Sequence, residues 1–179
     1  MKRNNYDGNI KDNSEAARMA EDIAVQLLHQ IYAGTKFYSV HDDQSLWHYG
    51  DIISSDGLYY DAKDDGVIYR TGNVYAEDKK IWNDGKITDG WMGNSKYDYV
   101  CIVDLIECNF YVLDFEKLKK IYKNGNAYRP SQHDDNLTWG YCVPLWKCRK
   151  YGVLVYETGF EYDDDMDCYD LAPLHIRKK

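Results

Sequence analysis

Tyr59-Tyr60-Asp61-Ala62-Lys63-Asp64-Asp65 decides the reading of this chain, with Tyr49-Gly50-Asp51 before it and Thr71-Gly72-Asn73-Val74-Tyr75-Ala76-Glu77 after it. Tyr59 to Lys63 has the composition of a strand. Asp61 and Lys63 stand two apart, which on a strand means one face. That face carries a carboxylate and an ammonium side by side. Asp51, from the preceding segment, brings a second carboxylate. Two converging carboxylates make a hard, oxygen-rich site suited to Mg2+ or Mn2+. A lysine beside them can orient or deprotonate a water, or stabilise charge building on a phosphate. These are the parts of metal-assisted phosphodiester hydrolysis.

The ordered set resembles the PD-(D/E)xK nuclease superfamily. More narrowly it resembles the phage-type members, in which an aspartate, a (D/E)xK-x-D and a TGN-x-x-x-E recur in that order. The likeness continues through Gly85 to Trp91 and Ser95-Lys96-Tyr97-Asp98-Tyr99, then through Tyr111-Val112-Leu113 into Leu118. It implies an α/β, restriction endonuclease-like fold, a mixed central sheet flanked by helices. It implies that Asp51 and Asp61 bind Mg2+ or Mn2+, that Lys63 is the catalytic lysine, and that Glu77 is an added acid. A glutamate on the first helix of such proteins leans into the metal site, and Glu21 stands there. The implied activity is a DNA endonuclease or resolvase-like hydrolase encoded by a phage or mobile element, acting in the cytoplasm. Two residues depart from the commoner pattern: Asp61 stands where glutamate is usual, and Gly50 precedes Asp51 in place of proline.

A second register is open. Glu77-Asp78-Lys79 is also an ExK on a strand-like segment, with Asp65 as the leading acid before the strand Val67 to Tyr69. A hairpin through Thr71-Gly72-Asn73 sets Asp65 opposite Glu77. The same charges also suit the solvent face of a polar meander.

Length and composition narrow the classes. A chain of 179 residues, 44% hydrophobic, builds one domain with its own core. Residues 1–12 read as a flexible lead, 13–162 as the nuclease-like domain, and 163–179 as an acidic then basic tail. Eighteen tyrosines and five tryptophans favour strands and contact surfaces. A net charge of −8 runs against a broad basic DNA footprint. Positive charge is instead local. Lys117 and Lys120 belong to one cluster and Lys147 and Arg149 to another, and these four are the DNA-contact candidates. Each cluster also reads as a solvated face. The five cysteines form no CxxC and suggest neither a zinc knuckle nor a disulfide framework. Cys101, in an apolar run, reads as a buried thiol, and reduced cysteines suit the cytoplasm. No apolar run approaches the length of a membrane span.

Along the chain, Asn13 or Ser14 caps a helix to about Tyr32, with an apolar stripe Ala16, Ala20, Ile23, Ala24, Leu27, Leu28 and Ile31. Strands are expected at 36–40, 51–54, 58–62, 67–69, 74–81, 97–105, 109–113 and 153–162. Phe115 to Lys123 reads as a helix, and Pro144 to Lys150 as a short helix or turn. Trp82 and Trp91 flank a Gly/Asp-rich loop, where they can pack on the core or on a substrate strand. His41-Asp42-Asp43 and His133-Asp134-Asp135 read as loop polarity. The sequence lacks P-loop, HExxH and GxSxG motifs. DNA is the expected partner, with a homodimer and a host protein left open. A different class of function fits the acidic balance: a non-catalytic protein that keeps the nuclease fold and binds a protein partner through a DNA-mimicking acidic surface.

Overall fold

The computed structural model describes residues 13–40, 43, 45–46, 49–65, 68–94, 96–128 and 136–174. The readings of the 1–12 lead, the His41-Asp42 and His133 to Asp135 segments, Val67, Ser95 and the basic end at 175–179 lie outside these residues.

The first helix, α1 (Asn13–Ile31), forms where the apolar period of 3.6 predicts it. Ala16, Ala20, Ile23, Ala24, Leu27 and Leu28 are buried. They pack on one face of a seven-stranded sheet. Its strands are β1 (Phe37–Ser39), β2 (Ile52–Ser54), β3 (Tyr59–Asp64), β6 (Tyr99–Asp104), β7 (Asn109–Asp114), β10 (Leu154–Asp163) and β11 (Cys168–Ala172), in that spatial order. β3 and β6 run parallel, and the other neighbours are antiparallel. The protein is therefore a mixed α/β fold built on a mixed central sheet.

The strict alternation of β3, β6 and β7 explains the layering. Tyr60, Ala62, Cys101, Val103, Phe110 and Val112 face α1. Tyr59, Val100, Ile102, Tyr111 and Leu113 join a second core on the opposite face. Strands buried on both faces need apolar residues at every position, and YVCIVD and NFYVLD supply them.

The second core is closed by a separate four-stranded antiparallel sheet in the order β5 (Ile87–Asp89), β4 (Asn73–Trp82), β9 (Asn136–Pro144), β8 (Asn126–Tyr128). Short helices α2 (Ile68–Thr71), α3 (Trp91–Asn94), α4 (Phe115–Ile121) and α5 (Leu145–Lys150) fill its margins. This corrects the expectation of a single central sheet. β3 and β4 belong to different sheets, and α2 stands where a strand at 67–69 was expected. Ile68 is buried in the second core, and the helical turn carries the chain from one layer to the next. Gly72, at φ +63, ends that turn, its N–H donating to Ile68 O at 2.8 Å.

The acidic segment after Tyr162 is also more than a tail. β10 and β11 form a hairpin, with Gly159 opposite Ala172 and Asp163 opposite Cys168. Tyr169 fastens it to α1: its N–H donates to Gln26 Oε1 at 2.8 Å, and its carbonyl accepts from Gln30 Nε2 at 2.6 Å.

Candidate active site

Asp51, Asp61 and Lys63 meet where β2 enters the sheet beside β3. Gly50 makes the approach possible. Its φ is +124, and a Cβ there would stand 2.5 Å from Tyr60 O. Asp51 N–H donates to that same Tyr60 O at 2.9 Å, while Asp51 O accepts from Val40 N–H at 2.9 Å. The Asp51 carboxylate then turns across β3, and its Oδ2 accepts from Ala62 N–H at 3.0 Å. A residue with a Cβ cannot hold this close crossing without strain, and this accounts for glycine before Asp51.

Asp61 is 6% exposed. Lys63 Nζ lies 2.7 Å from its Oδ2, so this buried oxygen is held in an ion pair. Burial pushes the Asp61 carboxyl up to about 7; Lys63 opposes the rise and Asp51 adds to it. Burial also works against the Lys63 ammonium, but Asp61 and Asp51 outweigh it and raise its pKa. Lys63 is thus firmly a cation at neutral pH, and its side chain keeps 35% exposure.

Glu77 approaches from the second sheet. Burial raises its carboxyl, against the lowering pull of Lys80 and Lys63. The site is therefore an Asp51–Asp61 pair, a partly exposed Lys63, and Glu77 within the electrostatic reach of that lysine.

The other sequence candidates lie elsewhere. Glu21 is buried on α1, where it accepts a hydrogen bond from Ser39 Oγ. Ser39 shares the face of β1 that Phe37 turns toward α1, whereas Asp61 and Lys63 occupy the opposite face of β3. The second register is not assembled. Asp65 Oδ2 accepts from Tyr75 N–H at 3.3 Å, and Lys79 pairs with Asp89. A bulge at Asp78 separates Glu77 from Lys79: their partners on β9 are Gly140 and Trp139, adjacent residues that point to opposite faces. The same-face spacing of an ExK is lost there.

Three of the four DNA-contact candidates are engaged within the protein. Lys117 lies 2.8 Å from Asp114, Arg149 Nε donates to Glu157 at 2.8 Å, and Lys147 Nζ donates to Asn124 O at 3.0 Å. Lys120 stands on α4 near Asp114. Trp91 packs on the second core against Phe115, whereas Trp82 is 38% exposed. Sequence reasoning did not single out Lys80 beside Glu77, because only the bulge turns the two toward each other.

Among the described residues, no group of three or more His, Cys, Asp or Glu side chains has metal-holding geometry. Asp51 and Asp61 supply two carboxylates, the ligand type that a hard divalent cation takes. Burial and Asp51 disfavour the charged Asp61 carboxylate, and Lys63, 2.7 Å from its Oδ2, offsets part of that cost. Mg2+ commonly takes one or two carboxylates and completes its shell with water and phosphate oxygens.

No family model matches this chain, and neither the curated proteins nor the solved structures yield a match. Among the described residues, no helix is long and apolar enough to cross a membrane.

Proposed function

We propose that the chain is a divalent-metal-dependent DNA endonuclease or resolvase-like phosphodiester hydrolase with a restriction endonuclease-like core. The observation that carries this reading is the Asp51–Asp61–Lys63 convergence, with Lys63 Nζ 2.7 Å from Asp61 Oδ2. The packing of α1 on a mixed sheet with β3 and β6 parallel agrees with it.

Asp51 and Asp61 would hold Mg2+ or Mn2+. The ion supplies Lewis-acid polarisation of a phosphate and a bound water of lowered pKa. Lys63, held protonated by two carboxylates, places positive charge where a phosphorane-like transition state gathers negative charge. It orients water rather than deprotonating it. Glu77 steadies the ammonium from the second sheet. The parallel neighbour β6 fixes β3 from Tyr60 to Asp64, so the acid and the lysine are presented by a rigid element.

Calorimetric titration with Mn2+ tests the ion site. Wild-type protein should bind with measurable heat, and Asp61→Asn should weaken binding at least about tenfold by removing a ligand charge. Equal affinity in both proteins places the ion elsewhere.

The net charge of −8 supports a second reading, a non-catalytic protein with the same fold that binds a basic host partner through its acidic surface. The β10–β11 hairpin, with Glu161, Asp163, Asp164, Asp165 and Asp170 around one concavity, is the face for that partner. Capture of such a partner should weaken as salt rises.

A further inference from the structure

The bulge at Asp78 does more than separate Glu77 from Lys79. In a regular strand Glu77 and Lys80 point to opposite faces. Here Glu77 pairs with Gly140, Lys80 with Thr138 and Trp82 with Asn136. These β9 partners are two apart, so Glu77, Lys80 and Trp82 share one face. The result is a row of Glu77, Lys80 and Trp82 along one face of β4, with Glu77 within electrostatic reach of Lys63.

The far end of the row is built for contact. Trp82 is 38% exposed and its ring is fixed, because Nε1 donates to Thr88 Oγ1 at 3.1 Å. Lys80 Nζ lies 5.2 Å from the ring centroid. A shallow concavity beside the ring is lined by Lys86 and Thr88, together with Asn83 and Asp84. Asp84 is turned inward on its own loop, where Oδ1 accepts from Lys86 N–H at 2.9 Å.

We infer that the β4–β5 hairpin is a binding track for single-stranded DNA leading to the Lys63 site. A base stacks on Trp82, and Lys80 and Lys86 meet the phosphates on either side. An aromatic ring with adjacent lysines suits a strand whose bases are unstacked, because a duplex offers no free base face along its length. The row covers roughly 15 Å from Glu77 to Trp82 at the usual strand rise, the span of a short oligonucleotide. The assignment of DNA as ligand rests on the nuclease reading above, but the binding itself does not require catalysis.

The test is fluorescence anisotropy of a labelled oligothymidine in EDTA at low salt. Wild type, Trp82→Ala, Trp82→Phe, Lys80→Ala and, as a distant exposed control, Trp146→Ala are compared. Trp82→Ala should weaken binding about tenfold and Trp82→Phe should restore most of it. Lys80→Ala should weaken binding and lower the salt slope by about one. Trp146→Ala should bind as wild type does. The rescue by phenylalanine separates lost stacking from lost folding. Absence of oligonucleotide binding, wild-type affinity in Trp82→Ala, or equal preference for duplex overturns the track. Trp82-dependent binding without any cleavage leaves the track standing and removes the nuclease reading. Cleavage of single-stranded DNA with unchanged KM in Trp82→Ala does the reverse.

Discussion

Gly50 is the residue on which the site's geometry turns. Its backbone sits at φ +124 and its Cα faces Tyr60 O with no room for a methyl group. Gly50→Ala should cost on the order of 1–3 kcal/mol from the backbone conformation alone, before the clash is counted. Because Asp51 follows directly, the variant should lose ion affinity as well as stability. Thermal unfolding and Mn2+ titration of the same preparation check both, and an unchanged melting temperature would contradict the crossing described here. Asp104 gives a second residue-scale prediction. It is fully buried, its Oδ1 accepts from Ile106 and Glu107 N–H groups at 3.1 Å each, and its Oδ2 has no hydrogen-bond partner. Burial pushes its carboxyl up to about 6, the two N–H groups oppose the rise, and Glu107 and Asp65 add to it. A folded-state pKa above the unfolded value of about 4 stabilises the protein below that pH, and the contribution is lost as pH rises through about 6. Asp104→Asn keeps the turn and removes the charge. It should be the more stable protein at pH 8, by on the order of 2 kcal/mol, with the gap closing toward pH 4. Parallel unfolding curves at both pH values read this directly.

At the scale of elements, local periodicity explains what the sequence discloses. α1 is legible because its stripe Ala16, Ala20, Ile23, Leu27 repeats at helical spacing and is buried as a unit. β6, β7 and β10 are legible because each is rich in β-branched and aromatic residues, whereas β3 is announced by Tyr59 and Tyr60 alone. The pairing of Asp61 with Lys63 follows from their spacing alone. Pairing between distant segments is what the sequence conceals. β5, β8 and β11 are only three to five residues long, and they exist because β4, β9 and β10 offer them edges. The Asp78 bulge depends on the register between β4 and β9, more than fifty residues apart in the chain, so the phase change that joins Glu77 to Lys80 has no local signature. The run Asp163-Asp164-Asp165-Met166-Asp167 reads as a tail for the same reason, although it is the turn of a hairpin. That hairpin is structural. β11 covers Phe160, which is 2% exposed and packs edge-on to Tyr169 at 5.8 Å, and it is tied to Gln26 and Gln30 of α1. Ending the chain at Asp163 should lower Tm by at least about 5 °C. A dispensable tail would leave Tm unchanged.

For the whole molecule, two packed sheets converge on the proposed site. The larger sheet supplies Asp51, Asp61 and Lys63, and the smaller supplies Glu77. The acidic balance of the chain does not oppose this, because carboxylates at a metal site are offset by the ion before a phosphate approaches. Lys63→Ala should keep the fold, since Asp61, already raised to about 7, tolerates its buried position as the neutral acid. The direct measurement is cleavage of labelled duplex, branched and single-stranded DNA in Mn2+ by wild type and Lys63→Ala, with thermal unfolding of both followed alongside. Wild type should cut at least one of these substrates, and Lys63→Ala should cut it about 10²–10³-fold more slowly at an undiminished melting temperature. Equal rates from the two proteins, or no cleavage of any substrate by a wild-type preparation that binds Mn2+, would contradict the nuclease reading.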